Sequence, residues 1–159
     1  GLYQHPKVKA LINIGHGEGF GLPMFEAAYN ALPIMTTPWG GQCDFLYMPI
    51  KDKKGKVKNT PMFASVSYDM KQVQPEAQWE GVIQADSQWS FAKEWSYKKA
   101  LKSMFKSIGG YKSKAKKLQK YTVKTFSCET QYDRFCDSVS PGSKKDLEWM
   151  ATNNTMELL

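Results

Sequence analysis

Glu18 and Glu26, with seven residues between them, are the side chains whose type and spacing could do chemistry. Glu18 lies inside the run Gly15-His16-Gly17-Glu18-Gly19-Phe20-Gly21, and Glu26 follows Leu22-Pro23-Met24-Phe25. A carboxylate cannot hold a phosphate without a metal or a proton between them, but it accepts hydrogen bonds from hydroxyls such as those of sugars and ribose. The glycines offer the complementary chemistry. They let a ligand approach the backbone closely, while the free N–H groups and positive dipole end of a following helix attract phosphate. A phosphate cradle flanked by two hydroxyl acceptors suggests a nucleotide-sugar.

Holding such a cradle takes a strand, the loop and a helix in that order. Residues 8–14 form a short apolar run rich in β-branched side chains and read as a buried strand, central in the intact parallel sheet but with one edge left without its partner in this chain. Glycines alternating with other residues over 15–21 exclude regular structure there. Pro23 suits the first turn of a helix expected over residues 22–31, which should bury Met24, Phe25 and Ala28 and end near Asn30. Residues 33–37 read as the next strand. Pro38-Trp39-Gly40-Gly41 then forms a second loop on the same rim, where the carboxyl ends of parallel strands collect ligands.

The stretch His16-Gly17-Glu18-Gly19-Phe20-Gly21-Leu22-Pro23-Met24-Phe25-Glu26-Ala27 resembles the donor-site motif of retaining GT-B glycosyltransferases of the group 1 type, family 4. Leu32-Pro33-Ile34-Met35-Thr36-Thr37 and Gly40-Gly41-Gln42-Cys43-Asp44-Phe45-Leu46 continue the match at the family's spacing. The resemblance implies an α/β fold: a Rossmann-like parallel sheet flanked by helices, the C-terminal half of a GT-B fold, here without its first strands. It implies transfer of a hexosyl group from a nucleoside diphosphate sugar to an acceptor, with retention. No cofactor or metal is implied beyond that donor substrate, the leaving diphosphate being stabilised by positive charge and backbone dipoles.

Under this resemblance Glu18 is the catalytic residue beside the donor sugar, where it helps to stabilise positive charge at the anomeric carbon. Glu26 accepts hydrogen bonds from the nucleotide ribose. Gly19, Phe20, Gly21 and Leu22 bind sugar and diphosphate, the last three through backbone N–H groups. His16 either faces the donor phosphate or the acceptor, or is structural. Gly40, Gly41 and Asp44 make rim contacts, with Asp44 standing where the family often has glutamate. Trp39 and Trp89 stack on a base or sugar, or are packing residues. Ala31 occupies a position where the family usually has glycine.

In GT-B enzymes this motif belongs late in the second domain, whereas here it begins at the fifteenth residue. The acceptor domain and the first donor-domain strands are therefore expected to be missing, with residues 1–137 a partial nucleotide-sugar-binding domain and 138–159 a linker and tail helix. The family's arginine–lysine pair that grips the diphosphate has no match before Gly15, so the chain alone is expected to be inactive. The exposed edge at residues 8–14 should promote self-association. Two other classes compete: a non-catalytic nucleotide-binding or assembly domain, and a basic nucleic-acid-binding protein.

The 159 residues, 42% hydrophobic and 13% aromatic, suit one globular domain with a real core. Arg134 is the only arginine behind a net charge of +7, and without arginine forks no nucleic-acid partner is expected. The lysines of 112–120 are a solvated helix face, or a membrane-surface contact if the acceptor is a lipid. Cys43, Cys128 and Cys136 fit reduced, mostly buried thiols of a cytoplasmic protein, and a peripheral place at the inner membrane surface is the other location considered.

Of the remaining segments, the later helices are read as cover for the sheet. Residues 47–80 are an insertion with a basic turn, read as a hairpin closed at Lys54-Gly55, and then a strand over 62–68; the insertion either carries acceptor or partner specificity or is a solvated surface loop. Residues 82–85 are expected to be a last parallel strand. From Trp89-Ser90 an amphipathic helix should run to Ile108, burying Tyr97, Leu101, Met104, Phe105 and Ile108, until Gly109-Gly110 ends it. A lysine-dense helix follows with Ala115, Leu118 and Thr122 on one side. Ser127 then caps a third helix whose Cys128, Tyr132, Phe135, Cys136 and Val139 should face the core.

Overall fold

The computed structural model describes residues 1–139, so the linker and tail expected over 138–159 fall, from residue 140 onward, outside the described residues. The chain divides into two units, Gly1–Thr122 and Val123–Leu159. A 3-10 turn at Leu2–Gln4 leads into β1 (Leu11–Asn13), α1 (Leu22–Tyr29), β2 (Ile34–Thr36), the short α2 (Cys43–Leu46), and the strands β3 (Tyr47–Lys51) and β4 (Val57–Pro61). These are followed by β5 (Ala64–Ser65), β6 (Tyr68–Gln72), β7 (Gln88–Ala92), α3 (Glu94–Lys106) and α4 (Ile108–Thr125). The first unit is mixed α/β, a small parallel sheet flanked by helices, to which two antiparallel hairpins are added.

The sheet has the order β1-β2-β5, all parallel, with Leu11 opposite Ile34 and Met35 opposite Ala64. β2 is buried throughout, as expected for an apolar strand covered on both faces. Met35 packs with Ala64, Val66 and Met104 of α3, and strand alternation turns Ile34 and Thr36 to the opposite face. α1 packs on β1 and β2 and buries Met24, Ala27 and Ala28. The expected buried Phe25 is corrected to half-buried, because Ala27 takes the inward position that its place on the helix dictates.

Residues 8–14 have the open edge expected of them in this chain but not the expected burial. β1 lies at an edge of the sheet among the described residues, and Ile12 and Ile14 are 41% and 38% exposed. The basic turn is a hairpin: β3 pairs antiparallel with β4, Gly55 takes a φ of 80°, and Asp52 Oδ1 accepts from the N–H groups of Lys54 at 2.8 Å and Lys56 at 2.9 Å. The single strand expected over 62–68 is corrected to β5 and the start of β6, separated by Val66 and Ser67. The strand expected over 82–85 is absent; Trp79 and Ile83 form an isolated bridge instead. Residues 88–92 are not a helix start but β7, paired antiparallel with β6.

The helices also differ in detail. Gly109 and Gly110 lie in the first turn of α4, and the break falls at Ser107, so these glycines open a helix rather than end one. Met104 is buried in α3, whereas Phe105, expected in the core, is 79% exposed. Ala115, Leu118 and Thr122 are the buried residues of α4, as their spacing predicts.

α1 ends in a Schellman motif: Leu32 N–H donates to Ala27 O at 2.9 Å and Ala31 N–H to Ala28 O at 3.2 Å. The left-handed residue is Ala31, at φ 55°, and not Asn30, whose φ is −95°. Asn30 serves through its side chain, donating from Nδ2 to Glu26 O at 2.8 Å. A Cβ disfavours the left-handed region by about 1–2 kcal/mol, so Ala31→Gly should stabilise the protein. Offset by the entropy glycine gains when unfolded, the expected gain is about 0.5–1 kcal/mol, read as a higher urea midpoint at unchanged slope. An unchanged or lower midpoint would contradict the geometry.

In the second unit α5 (Cys128–Val139) is capped as expected, Ser127 Oγ accepting from Thr130 N–H at 3.2 Å. Glu129 in its first turn has a carboxyl held below the ordinary range, first by its own backbone N–H and then by Ser127. The face expected to pack is open: Tyr132, Phe135, Cys136 and Val139 are exposed, as is the Cys128 thiol. The three cysteines are free, and the expectation of mostly buried thiols holds only in part, since Cys43 alone is half-buried. Among the described residues no helix is long and apolar enough to cross a membrane.

Candidate functional site

β1 and β2 are parallel neighbours, so the loops leaving their carboxyl ends emerge on one rim of the sheet. These are the two glycine loops, and they touch through their backbones. Gly41 N–H donates to Glu18 O at 3.0 Å. A Cβ built on Gly41 would stand 1.9 Å from Gly19 O, and one on Gly40, at φ 104°, would stand 2.8 Å from Glu18 O and 2.7 Å from Gln42 Oε1. Both glycines are therefore required for the loops to approach. The buried Gln42 completes the junction by donating from Nε2 to Thr37 O at 3.2 Å and to Trp39 O.

Glu18 is held from β1. Asn13 Nδ2 donates to Glu18 Oε1 at 2.7 Å while Asn13 Oδ1 accepts from Gly15 N–H at 2.9 Å, so one side chain closes the loop and orients the carboxylate. The N–H groups of Glu18, Gly19, Phe20 and Leu22 donate to no protein atom among the described residues. Gly21 is the N-cap of α1 at φ 85°, and its carbonyl accepts from Met24 N–H at 2.9 Å and Phe25 N–H at 3.0 Å. Pro23 contributes no donor and the Met24 and Phe25 N–H groups are turned to Gly21 O, so the anion-attracting groups at this helix start are the loop amides and that of Leu22. Phe20 adds an anchor: its ring lies 5.3 Å from those of Phe25 and Phe45, and it is nonetheless half exposed.

No family model, curated protein or solved structure matches the chain.

His16 is tied to β7. Its Nδ1 lies 2.8 Å from Ser90 O, and since a carbonyl only accepts, Nδ1 carries the proton and Nε2 is the acceptor of the neutral ring. His16 O accepts from Ser90 N–H at 3.0 Å and Ser90 Oγ at 2.8 Å, and the imidazole packs on the Trp89 and Phe91 rings. Trp89 therefore packs on the loop from behind, and Trp39, 40% exposed, meets Tyr68 with ring centroids 6.1 Å apart.

Glu26 stands apart from this network. It is exposed in the second turn of α1, and its neighbour is Tyr3 of the N-terminal turn. Desolvation first, and then the Glu26 carboxylate, hold the Tyr3 phenol above its ordinary value. Asp44 is exposed in the first turn of α2, next to Cys43, whose thiol is raised by burial first and by Asp44 second. That thiol is accordingly not an activated nucleophile. The structure thus brings Glu18, Gly19, Gly40 and Gly41 together, with Phe20, Gly21 and Leu22 continuing into α1. It places His16 against β7 and Glu26 against Tyr3. Among the described residues no cluster of three or more His, Cys, Asp or Glu could hold a metal.

Asn13, Gln42 and Ser90 are organising residues that the sequence reading misses. Asn13 ends a strand ahead of a glycine, a common place for a side-chain turn. Ser90 could have been found from the polar–aromatic alternation of Gln88-Trp89-Ser90-Phe91, which has strand period. Gln42 gives no signal beyond its place after a double glycine.

Proposed function

We propose that this chain carries the donor-binding half of a retaining GT-B glycosyltransferase, its sheet being Rossmann-like and its ligand a nucleoside diphosphate sugar. The observation that supports the reading best is the junction of the two glycine loops at the carboxyl ends of adjacent parallel strands, which presents unpartnered amides beside an oriented carboxylate. Donors of this kind suit a diphosphate, and the free Glu18 Oε2 suits a sugar hydroxyl. Glu18 is the residue assigned to the transferring carbon, where a carboxylate stabilises positive charge in the transition state. Gly19, Phe20, Gly21, Leu22, Gly40 and Gly41 are assigned to binding, and Glu26 to the ribose.

The isolated chain is expected to bind donor weakly and to transfer no sugar, since among the described residues no basic pair joins the loop amides. UDP or GDP added to isotopically labelled protein should shift the amide resonances of Gly19, Phe20 and Gly41, with a dissociation constant of about a millimolar. Glu26→Ala should weaken that binding about tenfold. Shifts confined to lysines of α4, or none at about 10 mM nucleotide, would reject the reading.

A further inference from the structure

We infer that the outer side of α3 rests on an anionic lipid surface, with Trp95 in the headgroup layer and a lysine stripe against the phosphates. α3 covers one face of the sheet: its Tyr97, Ala100, Leu101 and Met104 pack with Met35, Ala64 and Val66. At about 100° per residue the opposite side of the helix carries Trp95, Lys98, Lys99, Lys102 and Lys106. All five are exposed, Trp95 by 62%. Strands added beside β1 would extend the plane of the sheet and leave this side of α3 as it is.

The stripe is poorly compensated. Lys98 pairs with Glu94, whereas Lys99, Lys102 and Lys106 have no carboxylate partner among the described residues. Every charged residue between Glu94 and Glu129 is a lysine. Lys116, Lys117 and Lys120, turned away from the buried Ala115 and Leu118, extend the same positive field along α4.

Residue type and layout select the occupant. From Trp95 to Lys106 the stripe runs about 17 Å along one side of one helix, which suits a flat surface. Lysine heads on flexible stems meet headgroup phosphates that keep no fixed spacing, and an indole ring is at home in the same layer. A DNA duplex would take the lysines but keep its bases from Trp95, and a single strand calls for rings interleaved with the charges, where α3 has one at its start. An acidic protein would need carboxylates at matching intervals and a pocket for the indole. The contact lies on the surface of the bilayer, and it is independent of what the glycine loops bind.

The test is flotation of the full chain with phosphatidylcholine vesicles, plain or with about a third phosphatidylglycerol. The anionic vesicles should bind at least about thirtyfold more tightly, and most of that advantage should vanish at about 0.5 M salt. The triple variant Lys99→Gln, Lys102→Gln, Lys106→Gln, in which glutamine keeps the helix propensity of lysine, should bind about a hundredfold more weakly. The same charge change at the exposed Lys51, Lys53 and Lys54 of the β3–β4 hairpin should alter binding by less than about threefold. Trp95→Phe isolates one indole: the emission lost in that variant should move to shorter wavelength on anionic vesicles. Equal losses in the two triple variants, an unmoved Trp95 emission, or tighter binding to duplex DNA or polyglutamate than to the vesicles at the same salt would each overturn the proposal.

Discussion

Gly41→Ala should destabilise the protein by about 3 kcal/mol and remove any nucleotide binding, whereas Gly19→Ala should do neither. The methyl group added at Gly41 would fall 1.9 Å from Gly19 O and 2.8 Å from its carbonyl carbon, and the obstacle is backbone, which cannot swing aside as a side chain does. Relief requires the loops to part, and with them goes the bond from Gly41 N–H to Glu18 O. Gly19 is the informative control, because a Cβ there meets nothing within 4 Å although it belongs to the same contact. Urea unfolding and the amide shifts of residues 18–22 measure the two effects. Equal stability of Gly41→Ala and Gly19→Ala would show that the loops do not meet as described.

Phe45→Ala should cost about 3–5 kcal/mol, the largest loss among single truncations. Phe45 is completely buried in α2, and its ring centroid lies 5.2 Å from that of Phe25, edge-on, and 5.3 Å from that of Phe20. Truncation removes the transfer free energy of a large ring and leaves a cavity under the glycine loop that α2, one turn long, cannot move to fill. The ring under Phe20 also sets the height of the loop, so Phe45→Leu should recover most of the stability but only part of any ligand-induced shift at Phe20. Thermal unfolding followed by circular dichroism reads the first effect. A loss under about 1 kcal/mol would contradict the packing.

The order strand, glycine loop, helix, strand, second glycine loop can be read from the residues because each step has a local cause. Glycines exclude regular structure, Pro23 starts a helix, and the stretch around Ile34 carries no charged residue to expose. The hairpin at Lys54-Gly55 is readable for the same reason. What escapes the sequence is not local. β1 has the composition of a buried strand, yet Ile12 and Ile14 are exposed, because composition does not state what covers a face. The segment 88–92 reads as part of the helix beginning at Glu94, although its alternation is that of a strand; its partner β6 lies across fifteen intervening residues. Phe105 and the apolar side of α5 have helical spacing that matches a core face, but spacing states which residues share a side, not whether anything covers that side. Within the site, Glu18 and the glycines stand out by type and pattern. Asn13 and Ser90, which hold them, act through hydrogen bonds that no spacing rule reports.

The three hydrogen bonds between His16 and Ser90 have a consequence for affinity. A segment with a glycine at every second position would ordinarily sample many shapes, and a ligand would have to select one of them. Fastened to β7 from behind and to Asn13 from below, it loses that freedom when the protein folds. A molecule arriving later meets a nearly finished mould, and the penalty for immobilising it falls on the visitor more than on the host.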